Sequence, residues 1–427
     1  MAYSIDNKVF ITGRSALTAS GASAQDTWQA VMSGQTGIAE IEQWDLSTWT
    51  HRLGGELKNF KPAQLLPDRK LIKVISRQDV IGIHVALEAV NQSQIIEHRN
   101  GLNCPDLFNN QTGIYVGSPG NKYFQQYDFL PLLAKTKANM QDFAEHLFDE
   151  VHPMWLLRIL PNNVLAYTGI TYGFKGPNQN ITNHAAGGTQ ALLEAYHAVR
   201  SGQVERAVVV AYDMGIEPQA LFYYEKLGLI SDRHLKPFDA QHDGTILADG
   251  AAALVLESEA SASARNAICY GEIIGGLAAS EAKGLFSIES EGEQLTQLIH
   301  NTLNTAQLCP NDIGLVVAHG NGNKKSDDSE AHAINAVFSS SRPVVTAFKW
   351  SMGHTLCASG LVDAVLTSYA LEKKCAPSIG NLQTLATTCQ SLNVTTSHQT
   401  LKKNTHALMI NRGFSSMNAC LLMKAYD

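Results

Sequence analysis

The 427-residue chain has no CxxC pair; its seven cysteines, at positions 104, 269, 309, 357, 375, 389 and 420, lie scattered. An odd count without paired spacing argues against a disulfide framework and for reduced thiols in a cytoplasmic setting. Long apolar runs are missing as well. No segment reaches the ~18 uninterrupted apolar residues of a membrane-crossing helix. The first residues, with Asp6 and Lys8 among them, lack the apolar core of a secretory signal, so a cytoplasmic location without a membrane partner is expected. Positive charge is not in excess: 32 Lys+Arg against 39 Asp+Glu leave a net charge of −7. Such a balance gives no general field for nucleic acid, and an acidic partner would need a local basic patch. There is also no short-period repeat. What is present, 44% hydrophobic and 17% charged residues, suffices for well-filled cores and excludes disorder. At ~100–200 residues per domain the length fits two or three domains, or one large double unit.

Short apolar runs alternate with helical patterns. Val9–Thr12 reads as a strand, Ala24–Ser33 as a helix stopped by Gly34, and Ile114–Val116 as a second strand running into Gly117-Ser118-Pro119-Gly120. Ala207–Ala211 and Ala251–Leu256 are continuous apolar runs of strand length, the mark of buried strands. A helix from Ala185 to Ser201 carries Leu192, Leu193, Tyr196 and Val199 on one face and meets Gly202 as a stop. The second half repeats this grammar. Strands are expected at Tyr270–Ile274, Gly314–Ala318, Arg342–Ala347, Ala407–Asn411 and Ala419–Lys424, with helices at Glu291–Ala306 and Gly360–Glu372. The alternation predicts parallel, helix-covered sheets in an α/β protein. Small and polar residues at Ser258–Asn266 suggest a seam between units 1–260 and 261–427, and Phe124–Leu160 reads as an insertion over the sheet (about 120–160).

Several segments then stand out. Pro237-Phe238-Asp239 and His242-Asp243-Gly244 precede a buried strand. His319-Gly320-Asn321-Gly322-Asn323 follows another, with Asp327 and Glu330 downstream. Lys349 and His354 lie five residues apart after a third, and Asn411-Arg412-Gly413-Phe414 begins a segment ending in Met417-Asn418. A lone histidine after a buried strand is more often a hydrogen-bonded structural residue. Two of them at strand ends beside glycines, with a lysine and carboxylates, form a polar cluster where α/β sheets bind ligands. A metal is not expected, because the histidines lack the i,i+4 spacing of a helical site and no cysteine pair accompanies them.

In order and spacing, these motifs resemble the β-ketoacyl-acyl-carrier-protein synthases of the thiolase-like superfamily. The resemblance runs from Val9-Phe10-Ile11-Thr12-Gly13 and Ala16-Leu17-Thr18 to the closing Gly413-Phe414 and Met417-Asn418-Ala419, nearly the whole chain. It implies a thiolase-like fold: two similar βαβαβαββ halves in a layered α-β-α-β-α arrangement. It also implies acyl transfer, in which a cysteine at a buried helix N-terminus takes an acyl group from carrier protein. Two histidines and a lysine then support decarboxylation of malonyl-carrier protein, and the carbanion attacks the thioester. A helix N-terminus lowers a thiol pKa and offers N–H groups to an oxyanion. The family's histidines map to His319 and His354, its lysine to Lys349, and the carboxylate pairing with that lysine to Glu330. Phe414 matches the gating phenylalanine. No cofactor is implied, since the phosphopantetheine arm arrives on the carrier protein.

The nucleophile does not map to a cysteine. Ala185 stands at its place, and a methyl group forms no thioester. Cys357, three residues after His354, is the nearest thiol in sequence and reads as a buried structural residue. Two explanations follow: natural loss in a chain-length-factor-like subunit paired with an active synthase, or a cysteine-to-alanine form of an active enzyme. Asn321 and Asn323 replace the threonines that contact the pantetheine arm, Ser415-Ser416 replace a glycine pair and should stiffen the loop, and Ala186-Gly187-Gly188 resembles chain-length factors. These drifts favour natural loss, while the retained His319, His354, Lys349 and Glu330 leave malonyl decarboxylation open. A thiolase using coenzyme A would need two reactive cysteines. The resemblance further implies a dimer through the strand before residue 185, either a homodimer or a heterodimer with a cysteine-bearing ketosynthase, and an acyl pocket under Ala185 lined from Phe124–Leu160. Arg69, Lys70, Lys73 and Lys226 match a basic patch for acidic carrier protein.

Overall fold

The apolar runs pair into one sheet. In the computed structural model, which describes residues 7–58, 60–120, 129–402 and 405–426, eleven strands join: β1 (Val9–Thr18), β2 (Thr112–Gly117), β3 (Asn178–Ile181), β4 (Arg206–Met214), β5 (Asp249–Ser258), β6 (Gly271–Ser280), β7 (Ile313–Val317), β8 (Val344–Thr346), β9 (Asn393–Val394), β10 (His406–Gly413) and β11 (Met417–Lys424). Their spatial order is β9-β8-β7-β10-β11-β6-β1-β5-β4-β2-β3. The first half contributes β1-β5-β4-β2-β3 and the second repeats it as β6-β11-β10-β7-β8. The two meet in a short antiparallel pairing of Val9, Phe10 and Ile11 with Ile273, Glu272 and Gly271.

The sheet is mixed, which corrects the parallel expectation. In each half the outer strands run parallel, β3 with β2 and β2 with β4, and β8 with β7 and β7 with β10. The pairs β4–β5, β5–β1, β10–β11 and β11–β6 are antiparallel, and the edge pair β9–β8 is parallel. The reason is connectivity: β10 and β11 pair Gly413 with Met417, and so short a return cannot give a parallel crossover.

The helices form layers around this frame. Helix α1 (Ala24–Met32) is capped by the Ser23 hydroxyl. Helix α2 (Arg77–Ser93) packs on the outer face of the first half behind a Ser76–Asp79 capping box. Helix α3 (Gly187–Arg200) and helix α7 (Ser359–Glu372) touch each other and strands of both halves, so they form the central layer. Residues Ser359 to Leu371 are all buried, as expected for a helix apolar on nearly every side. Between them in sequence come α4 (Pro218–Lys226), α5 (Glu293–Thr305) and α6 (Lys324–Phe338), with α5 and α6 covering the second half.

Three of these helices escape the sequence reading, α2, α4 and α6. Helices α2 and α6 bury polar residues in their first two turns, Gln78 and Asp79 in one, Ser326, Asp327, Ser329 and Glu330 in the other, which blurs the apolar period, and α4 is short with only Leu221 and Tyr224 buried. The Ser258–Asn266 stretch is a short helix (Glu259–Ala264) capped by the Ser258 hydroxyl. In the expected insertion, residues 124–128 lie outside the described residues, and the rest holds helices at Leu130–Lys135, Met140–Glu150 and Trp155–Arg158.

Candidate functional site

The two central helices begin alike. A 3-10 turn, His184–Ala186, leads into α3, and another, Leu356–Ala358, leads into α7. Each opens on a non-glycine residue in the left-handed region, His184 at φ +44° and Leu356 at φ +45°. Ala185 and Cys357 are therefore equivalent positions in the two halves. The starts of the helices press together: a Cβ on Gly187 would lie 2.9 Å from the Cys357 Sγ, and one on Gly188 2.6 Å from the Cys357 carbonyl oxygen. This contact explains the Gly187-Gly188 pair. Cys357 is fully buried and burial drives its thiol pKa well above the usual value, so it is a structural thiol.

His319 and His354 converge at the strand ends, with ring centroids 5.2 Å apart and planes at 83°. His319 leaves β7, and its Nδ1 accepts the Arg412 N–H at 3.3 Å, which leaves the proton on Nε2. His354 is fixed through its backbone: its N–H donates to Ile246 at 2.7 Å and its carbonyl accepts from Ala248 at 3.0 Å. Burial, the Lys349 ammonium and, for His319, the neighbouring imidazole drive both ring pKa values well below 6.5, so both rings are neutral at pH 7. Residue 185 is linked to this pair through the Arg412-Gly413 segment. Arg412, which contacts His319, is followed by Gly413, where a Cβ would come within 3.4 Å of the Ala185 nitrogen.

Glu330 is not the partner of Lys349. The ammonium donates to the Asp363 carboxylate at 2.8 Å, with both side chains almost wholly buried. Glu330 instead accepts the N–H groups of His319 at 2.7 Å and Gly320 at 3.0 Å, bracing the turn that presents His319; burial raises its carboxyl pKa to about 7. Asp363 had a readable signal, since it is a lone charge in the apolar run Gly360–Leu371. Asp327 ties α6 to the segment around Phe238, accepting its N–H at 2.9 Å and pairing with His242 at 3.1 Å.

Both imidazoles line a cavity of about 640 Å³ counted out to its open mouth, together with Asn321, Asn323 and Phe414. The two asparagines also serve the local backbone. Asn321 Oδ1 accepts the Asn323 N–H at 3.0 Å, and Asn323 caps α6. None of residues 129–160 lines this cavity. One wall residue was not foreseen: His184, whose ring stacks on Phe414 and bonds Tyr224. Arg69, Lys70, Lys73 and Lys226 are all exposed, and among the described residues none joins an ion pair. No described helix is long and apolar enough to cross a membrane.

Comparison with known proteins agrees with this architecture. Residues 6–262 match the β-ketoacyl synthase N-terminal domain and residues 270–383 the C-terminal domain. The chain is 28% identical over 430 residues to 3-oxoacyl-[acyl-carrier-protein] synthase 2 of Synechocystis sp., covering 98% of each, and 27% identical over 438 residues to the Staphylococcus aureus protein of the same name, covering 99% of each. Among solved structures, the ishigamide ketosynthase/chain length factor aligns over 99% of this chain and 100% of that one, with a TM-score of 0.86 at 22% identity. A type II polyketide synthase acyl-carrier protein in complex with its ketosynthase aligns over the same shares at 0.84 and 21%. With both domain models matched in order on a mixed α/β, thiolase-like frame, the chain belongs to the β-ketoacyl synthase family.

Proposed function

We propose that this chain is the chain-length-factor-like subunit of a ketosynthase pair in fatty-acid or polyketide (including polyene) elongation, and that alone it does not condense. The observation that carries this is Ala185. A fully buried methyl stands at the start of α3, where a helix N-terminus would otherwise activate a thiol. Asn321, Asn323, Ser415 and Ser416 support natural divergence, because a substitution confined to position 185 would not also bring these departures from the family pattern. The edge strand β3, exposed to half-buried along its length, is a surface suited to a second subunit, and the exposed basic residues suit an acidic carrier protein.

A second reading is that the chain is a cysteine-to-alanine form of an active condensing enzyme, and the intact histidine pair favours it. In either reading, malonyl decarboxylation needs no thiol. As the C–CO₂ bond breaks, its electron pair passes into an enolate. The His319 Nε2–H can donate to the enolate oxygen, and a solvent proton then completes an acetyl thioester.

The deciding experiment is co-expression with a cysteine-bearing ketosynthase, with native mass and elongation as readouts. A heterodimer that elongates, beside an inert Ala185→Cys single chain, is the expected result. Elongation by the Ala185→Cys chain alone would overturn the subunit assignment.

A further inference from the structure

The Phe414 turn is held from two sides. On one, the His184 ring stacks on Phe414 with centroids 4.2 Å apart and planes at 9°, and its Nδ1 accepts the Phe414 N–H at 3.4 Å. That tautomer leaves the proton on Nε2, which donates to the Tyr224 Oη at 3.0 Å. The Tyr224 ring in turn stacks on Phe414, with centroids 5.3 Å apart and planes at 27°. On the other side, Phe286 meets Phe414 edge-on at 5.2 Å. The Ser416 hydroxyl donates to the carbonyls of Gly284 at 2.9 Å and Ser287 at 3.1 Å, and the Ser415 N–H donates to Leu285 at 2.7 Å. His184, Ser415 and Ser416 all take left-handed backbone angles without being glycine, a cost the surrounding contacts must outweigh.

These contacts separate residue 185 from the two-imidazole cavity. His184, Tyr224 and Phe414 are part of its wall, whereas Ala185 is fully buried and is not. We propose that His184 and Tyr224 form a latch that holds the Phe414 turn shut, so that the cavity admits short acyl thioesters such as malonyl and excludes long acyl chains. The inference rests on the reading of this cavity as an acyl-thioester pocket. Opening a path toward residue 185 means breaking two stacked ring contacts and two hydrogen bonds in a half-buried place, and a short acyl group never needs it. His184 is a specificity-determining residue here, acting by position.

The test compares two non-hydrolysable pantetheine amides, malonyl and octanoyl, titrated calorimetrically into the full chain, its His184→Ala variant and its Tyr224→Phe variant. Wild type should prefer the malonyl probe. The octanoyl-to-malonyl affinity ratio should rise about tenfold or more in His184→Ala, the scale of a relieved steric exclusion, and by less in Tyr224→Phe. Damage to the fold would weaken both probes alike and leave the ratio unmoved; Tyr224→Phe, which removes one oxygen atom, decides the matter if His184→Ala does not fold. Equal wild-type affinity for both probes, or a ratio unchanged in the folded variants, overturns the latch while leaving the pocket reading intact. Failure of wild type to bind either probe overturns the pocket reading, and the latch with it.

Discussion

The Lys349–Asp363 pair is close enough for its ammonium to act on both imidazoles, and removing one member should have a measurable cost. At 2.8 Å and an effective dielectric of about 20, the two charges attract by about 6 kcal/mol. Desolvating two ions costs several kcal/mol each, so the intact pair contributes little net stability, but an orphaned charge costs about 3–5 kcal/mol. Asp363→Asn should therefore destabilise by about that amount. With ~2.1 cal/mol/K of unfolding entropy per residue, a loss of 4 kcal/mol lowers Tm by about 4 °C. The double variant Lys349→Met/Asp363→Leu, which removes both charges, should recover most of the loss. Lys349→Met has a second consequence. The ammonium depresses both imidazole pKa values, so its removal should shift the His319 and His354 titrations upward in NMR spectra. A double variant as unstable as the sum of the singles would refute the ion-pair argument. Unmoved imidazole titrations would refute the electrostatic coupling.

Other outcomes follow from the same geometry. Burial raises the Asp213 carboxyl to about 7; that protonated acid favours folding below its unfolded pKa of about 4, and the advantage disappears as pH rises through 7. Asp213→Asn should thus gain on wild type between pH 5 and pH 8, by about 3 kcal/mol, and a pH-independent difference in urea midpoints would contradict this. Cys104 and Cys309 are exposed and should react quickly with a thiol reagent in the native state, whereas Cys357 should not; rapid Cys357 labelling would remove its structural assignment. Binding of an acidic carrier protein should weaken steeply from low to high salt, and Lys70→Glu should reduce that dependence; salt-independent binding would exclude the basic patch.

Much of the site was legible because its chemistry is local. His319 and His354 follow apolar strands beside glycines, and Ala185 stands at the start of a clear amphipathic helix. Lys349 was legible in the same way, but its pairing with Asp363 was not, although Asp363 stands out as a lone charge in an apolar run. Asp327 and Glu330 looked closer because they belong to the same motif block, whereas the true carboxylate arrives from the middle of α7. The asparagines at 321 and 323 could be marked as replacements, but their capping roles depend on where α6 begins.

The sequence by itself determined the buried strands, the central helices, the alanine at the start of α3 and the two histidines after strand ends, because apolar period and residue chemistry are carried by neighbours along the chain. Only the tertiary structure decided that the sheet is mixed and that Cys357 mirrors Ala185. It also decided that Lys349 pairs with Asp363 and that His184 lies under Phe414. Each of these joins residues far apart in sequence. Their energies come from burial and from distances of a few ångströms, which exist only once the two halves have folded against each other.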